Sequence, residues 1–206
     1  MSLIDTTYFV REINVPLSSN ATLNTIFTNA ILRYENDILK KLLGYTLWKE
    51  FTDAIAAATT ESPLAQKWVD LRDGADFSFD WNGSIINTHW NGLINPEKVS
   101  LIAFYVYYQH RVNHESEYTG IGEVVAKGEN STRIIPLDKL VLVHSQMLDL
   151  YGRTPAIARK YYSFLNNANY LHYDDEPSAY NFLLTNVETY PNWVFKPIGN
   201  VNAFGI

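Results

Sequence analysis

The chain has 206 residues, 47% of them apolar and 14% aromatic, with a net charge of −6 and no cysteine. This length suits one domain with extensions, and the apolar fraction is enough for a core. The lack of cysteine excludes disulfides and thiol catalysis, and the acidic balance argues against a protein that holds nucleic acid by neutralising phosphates. Met1-Ser2-Leu3-Ile4-Asp5 lacks the basic start and long apolar run of a signal peptide, so a cytoplasmic origin is expected.

Residues 1–20 read as an N-terminal arm. Tyr8, Phe9, Val10, Ile13 and Val15 offer packing surface before Pro16 and Ser18-Ser19-Asn20 break the pattern. From Leu23 an amphipathic helix carries Ile26, Phe27, Ala30, Ile31, Tyr34, Ile38 and Leu42, with Gly44 as its stop. A second helix carries Leu47, Trp48, Phe51, Ala54, Ile55 and Ala58. A third is expected to start at Ser62-Pro63 and to run through Leu64, Trp68 and Leu71 to Gly74. Phe77, Phe79 and Trp81 then alternate up to Asn82-Gly83, a type I′ turn signal, and Ile85, Ile86 and Trp90 follow. This stretch reads as an aromatic hairpin or ordered loop.

Asn95-Pro96-Glu97 reads as the entry of the next helix, with Asn95 as cap and Pro96 in the first turn. Its core, Leu101-Ile102-Ala103-Phe104-Tyr105-Val106-Tyr107-Tyr108, is apolar or aromatic on every face and must be covered on all sides. It is too short for a bilayer, which needs about 20 apolar residues. A second hairpin is expected from Val124 through a turn at Gly128-Glu129-Asn130 to Ile135. Pro136 opens a helix with Leu140, Val143, His144, Met147, Leu148 and Tyr151, stopped by Gly152, and Thr154-Pro155 caps another through Leu165. Beyond Asp174-Asp175-Glu176-Pro177 the aromatics are scattered among prolines and glycines: too apolar for a disordered tail, too broken for a regular element. The expected fold is therefore mainly α: a helical bundle around a central apolar helix, with short β-hairpins and a long extended C-terminal arm. The helical domain spans 21–170, with hairpin insertions at about 75–92 and 121–135, and the arm spans 171–206.

Chemical motifs are few. His110 and His114 lie four apart on a helix, a spacing that suits zinc, but Arg111 stands where a zinc-protease signature needs Glu. A helix end with histidines near the negative end of the dipole accounts for them equally. Gly120-x-Gly122 lacks the third glycine or Lys-Ser/Thr of a phosphate loop and reads as a hinge. His172 with Asp174, Asp175 and Glu176 reads as a solvated linker, and His144 beside Ser145 is not triad geometry. No metal, cofactor or catalytic residue is assigned, and the protein is not read as an enzyme. Trp48, Trp68, Trp81, Trp90 and Trp193 raise an alternative, a carbohydrate-binding or carbohydrate-active protein, which requires several of these rings exposed along one groove.

Several segments carry a resemblance. They are Tyr34-Glu35-Asn36-Asp37-Ile38-Leu39-Lys40-Lys41-Leu42-Leu43-Gly44, Trp68-Val69-Asp70-Leu71-Arg72-Asp73-Gly74, Trp90-Asn91-Gly92-Leu93, and Ala103-Phe104-Tyr105-Val106-Tyr107-Tyr108. The Gly120-Ile121-Gly122 loop, Tyr180-Asn181-Phe182-Leu183-Leu184 and Tyr190-Pro191-Asn192-Trp193 complete the set. Together they resemble the head–tail connector, or adaptor, proteins of tailed bacteriophages, in particular those of Bacteroides-type and crAss-like phages. The resemblance implies a structural virion protein at the neck, assembled in the host cytoplasm. It implies a homo-oligomeric ring, commonly a dodecamer, that stacks on the portal, extends the DNA channel and docks the next tail component. DNA would pass without specific binding, since an acidic lumen repels it, and no membrane would be involved. Under this reading Tyr180, Phe182, Leu183, Leu184, Tyr190, Trp193, Phe195 and Phe204 bind a neighbour or the portal. Val124, Lys127, Glu129 and Arg133, on the second hairpin, face the channel or a ring partner.

Overall fold

The computed structural model describes residues 2–15, 21–81, 84–113, 117–119, 122–124, 137–152 and 178–198. The fold is mainly helical. After two 3-10 turns, Thr6–Tyr8 and Arg11–Ile13, come α1 (Ala21–Leu43), α2 (Tyr45–Ala57) and α3 (Gln66–Asp73). An antiparallel hairpin follows, β1 (Ala75–Trp81) with β2 (Ser84–Trp90). Then come α4 (Leu101–Asn113), a three-residue pair β3 (Glu117–Thr119) and β4 (Gly122–Val124), α5 (Leu137–Tyr151) and α6 (Ala179–Thr185).

Leu101 through Tyr108 are all buried, because α4 packs between α1 and α5. Its entry differs from the sequence expectation. Asn95 does not cap a helix; its side chain closes a turn on Val99, accepting from Val99 N at 3.0 Å and donating to Val99 O at 2.6 Å. Lys98 then takes a positive φ of 59°, which no helix tolerates. The cap is Ser100. Its hydroxyl accepts from Ile102 N at 3.2 Å and donates to Leu93 O at 2.7 Å, so a buried serine ties the helix entry to the preceding loop. Likewise α3 starts at Gln66 behind Ala65, not at Ser62-Pro63.

In the first hairpin the register sets Phe77 opposite Thr88, Phe79 opposite Ile86 and Trp81 opposite Ser84, leaving two residues for the connection. Its base is anchored by Trp90, whose indole N–H donates to Leu71 O at 3.1 Å. The opposite face pairs Asp76 with His89, at 2.7 Å. Of the expected second hairpin only Val124 is described. It sits in β4, which pairs backward with β3 across Gly120-Ile121; Lys127, Glu129, Arg133 and the rest of that hairpin lie outside the described residues. So does the helix expected from Thr154.

The C-terminal region departs most from expectation. Residues 178–198 are not an extended arm. Ser178 caps α6, its hydroxyl accepting from Asn181 N at 3.2 Å, and α6 buries Ala179, Phe182 and Leu183. Phe182 stacks on Trp90 and meets Phe77 edge-on, which seats α6 on the base of the hairpin. Tyr190 packs against Trp68 and Phe182. A local reading of prolines and glycines misses this, because the surface that orders the segment is α1, α3 and the hairpin, far away in sequence.

Candidate partner-binding surface

The last four carbonyls of a helix have no partner within it. In α1 all four are taken. Lys40 O accepts from Gly44 N at 3.0 Å, Lys41 O from Lys196 N at 2.9 Å, and Leu43 O from Val194 N at 3.2 Å. Leu42 O accepts the indole N–H of Trp193 at 2.8 Å. Three of these donors belong to residues 193–196. The same segment accepts the Tyr151 hydroxyl at Lys196 O, 2.6 Å, while the Tyr190 hydroxyl donates to Lys67 O at 2.6 Å. It thus staples the ends of α1 and α5 and the start of α3. Close approach explains two glycines. A Cβ on Gly44 (φ 77°) would lie 2.9 Å from Val194 Cβ, and one on Gly152 (φ 120°) 2.2 Å from Tyr180 Cβ.

The eight residues expected to bind a partner divide accordingly. Phe182, Leu183 and Tyr190 belong to the chain's own core, a correction to their expected role: the rings of Phe182 and Tyr190 are covered by Trp68, Phe77 and Trp90, and Leu183 is fully buried. Tyr180, Trp193 and Phe195 are half-buried and pack on one another, with centroids 4.7–6.0 Å apart, and Phe195 also meets Tyr151. Leu184 is exposed, as are Val187 and Val194, the last at 58%. Phe204 lies outside the described residues. The outcome is a half-buried aromatic cluster of Tyr180, Trp193 and Phe195 at the C-terminal end of α5, with Val194 exposed between two of its members. Sequence reasoning missed Val194 and, at the other end of α5, Val141 and Leu142, which are also exposed. The signal was present in α5, where Leu140, Val141, Leu142 and Val143 run consecutively and only one or two can face inward.

Other candidates resolve into packing. His110 lies 4.4 Å from the ring of Phe27 and His144 4.8 Å from that of Tyr108; His114 lies outside the described residues. Among the described residues no group of three His, Cys, Asp or Glu side chains could hold a metal ion, and no helix is long and apolar enough to cross a membrane. His172, Asp174, Asp175 and Glu176 are not described. Trp68 and Trp90 are buried, so they cannot line a sugar groove.

Two polar clusters bridge distant parts of the chain. Lys41 Nζ reaches Asp37 and the Tyr105 hydroxyl, each at 2.6 Å, while Tyr105 donates a short hydrogen bond to Asp37. Burial and the adjacent Asp37 carboxylate hold Tyr105 protonated far above the usual phenol range, so it is a fixed donor and no base. Burial pushes the Asp37 carboxyl up, but bonds from Lys41 and Tyr105 outweigh it and leave it below its ordinary range. The second cluster is centred on Glu35, on α1 and buried. It accepts from Ser2 Oγ at 2.6 Å, from Leu3 N at 3.0 and 3.1 Å, and from Ile4 N at 3.4 Å. Burial raises its carboxyl above the ordinary glutamate range, only partly offset by these bonds. Residues 2–15 form a strap held by this carboxylate and by buried Ile4, Phe9 and Ile13.

Comparison of the chain with protein-family models, with curated proteins and with solved structures finds no match.

Proposed function

We propose that this chain is a structural subunit of a head–tail connector ring in a tailed bacteriophage. In this reading the bundle is organised around α4, and copies associate side by side into a homo-oligomeric ring, commonly of twelve. The ring stacks on the portal, continues the DNA channel without binding DNA specifically, and docks the next neck or tail protein.

One observation carries the reading beyond the resemblance. Among the described residues, two unlike apolar patches flank α5, one in its N-terminal half and one at its C-terminal end. The first is exposed Val141 and Leu142; the second is exposed Val194 with half-buried Tyr180, Trp193 and Phe195, beside Tyr151, while Ile26, Leu32, Tyr45, Ile85 and Val112 are exposed elsewhere. Ten residues separate Val141 from Tyr151, about 15 Å along a helix. A ring needs heterologous contacts, in which each subunit offers two different complementary surfaces. Two unlike patches meet that requirement, whereas one self-complementary patch would favour a two-fold dimer.

The test is mass and shape in solution, by light scattering and negative-stain imaging, with and without the cognate portal. Rings in either sample support the proposal, and failure to exceed a dimer in both refutes it. Leu142→Glu and Val194→Glu alter exposed side chains, so each should fold normally and fail to assemble.

A further inference from the structure

We propose that the N-terminal strap is exchangeable: the groove that holds residues 2–15 is a docking site for the same segment of a second copy of this chain. The groove is a built site. The first 3-10 turn of the strap packs on α1, and the second packs on α4 and α5. Phe9 sits edge-on to Phe27 at 4.7 Å, and the Tyr8 hydroxyl donates to Asn95 O at 3.4 Å. Glu35 fixes the far end of the strap through Ser2, Leu3 and Ile4.

Glu35 decides what can occupy this groove. Among the described residues no lysine or arginine forms an ion pair with it. A buried carboxylate stripped of its donors is strongly unfavourable. An apolar helix would fill the sockets of Ile4, Phe9 and Ile13 but leave the carboxylate bare. A basic side chain would meet the charge without the sockets. The segment that presents main-chain donors and three apolar plugs in register is the strap itself, so the partner that fits is another copy.

Exchange keeps the described contacts of residues 2–15, so its balance rests on effective concentration, on the order of millimolar for a short tether. Residues 16–20, Pro-Leu-Ser-Ser-Asn, join strap to body. From Val15 to Ala21 the chain reaches at most about 20 Å, so exchange requires a neighbour's groove at close quarters. Side-by-side copies in the proposed ring would satisfy this; the exchange itself needs only two crowded copies.

The test uses Phe9→p-benzoylphenylalanine in the full chain, with unlabelled and nitrogen-15 versions mixed at about 1 mM, comparable to the tether's effective concentration. After irradiation and digestion, mass spectrometry sorts the cross-links between position 9 and α1 by isotope. The proposal expects roughly a fifth or more to join unlike isotopes at that concentration, and at least a tenfold fall at about 1 µM. Like-isotope pairs alone at 1 mM overturn it. Light scattering on the same samples separates the two ideas. Rings with only like-isotope pairs refute exchange and keep the ring; unlike pairs without rings support exchange and leave the ring to the sample with portal. If the probe at Phe9 disturbs folding, the half-buried Tyr8 takes an aromatic probe in its place and is read in the same way.

Discussion

Glu35 should give the fold a pH dependence opposite to that of most carboxylates, and substituting it should flatten that dependence. Its carboxyl is raised in the folded protein by burial, so the folded state binds the proton more tightly than the unfolded chain. The stability slope with pH follows the difference in bound protons, unfolded minus folded. Between the ordinary glutamate value and the raised one that difference is negative. The Glu35 contribution is therefore fully present below the unfolded value and is lost as pH rises through the folded one. The slope approaches about 1.4 kcal/mol for each pH unit over which the two states differ fully in protonation. Glu35→Gln cannot titrate and should flatten this component. It also replaces one carboxyl oxygen with an NH2 group, which faces the Leu3 N–H in place of an acceptor. Glu35→Ala removes every acceptor. Ile4 is buried, while Ser2 and Leu3 can rehydrate, so a net loss of about 2 kcal/mol is expected, near one unmet buried donor plus weakened strap packing. The assay is urea unfolding by circular dichroism at half-unit steps from pH 7.5 to 4.5 for wild type and both variants. Wild type should gain on Glu35→Gln as pH falls. A constant difference between them, or one that shrinks toward acid, would refute the assignment of Glu35 as a buried, proton-retaining latch.

Other outcomes follow from the C-terminal staple and the α1–α4 contact. A chain ending at residue 177 loses the burial of Phe182, Leu183 and Tyr190, about 1.5–3 kcal/mol each, against a typical total of about 5–15; thermal melts should show a domain close to unfolding, and an unchanged midpoint would contradict the packing. Gly152→Ala forces a Cβ into Tyr180 at a positive φ and should destabilise by about 2 kcal/mol or more, read as a fall in unfolding midpoint. Tyr190→Phe removes the bond to Lys67 O with little change in volume and should cost about 1 kcal/mol. Asp37→Asn, part-exposed, should cost less than about 1 kcal/mol at neutral pH. Because the Asp37 carboxyl is lowered in the folded state, its contribution should disappear only as pH falls below the ordinary aspartate range.

What was legible in the sequence was the part encoded by local periodicity. α1, α2 and α5 fall where the three-and-four spacing of Ile31, Tyr34, Ile38 and Leu42 and its counterparts place them, and Gly44 and Gly152 stop helices as read. The hairpin at 75–90 follows from Phe77, Phe79 and Trp81 in alternation before Asn-Gly. The misses share one cause. Asn95 and Ser100 are both good caps, and a turn closed by Asn95 on Val99 decided between them. Phe182 and Tyr190 look like free adhesive aromatics until Trp68 and Trp90, about a hundred residues earlier, are brought beside them. Nothing in the spacing of α1 marks Glu35 for burial, and only the return of residues 2–4 makes it a buried acceptor. Long-range partners of this kind leave no periodic trace.

The capping of α1 by residues 193–196 also sets an order of events in the cell. Trp193 meets Leu42 across a separation of 151 residues. At about 5–20 residues per second, a ribosome takes roughly 8–30 s to make the intervening chain. Throughout that interval the end of the first helix must hold its carbonyls in water while α2 through α5 emerge and collapse around it. Closure then comes last and from far away, a high-contact-order step that slows folding. The half-made protein would display the seats of Tyr190 and Phe182 as open apolar sockets. Emergence of residues 182–196, rather than completion of any one helix, is when these sockets close, and subunits could recognise one another in mature form only after it.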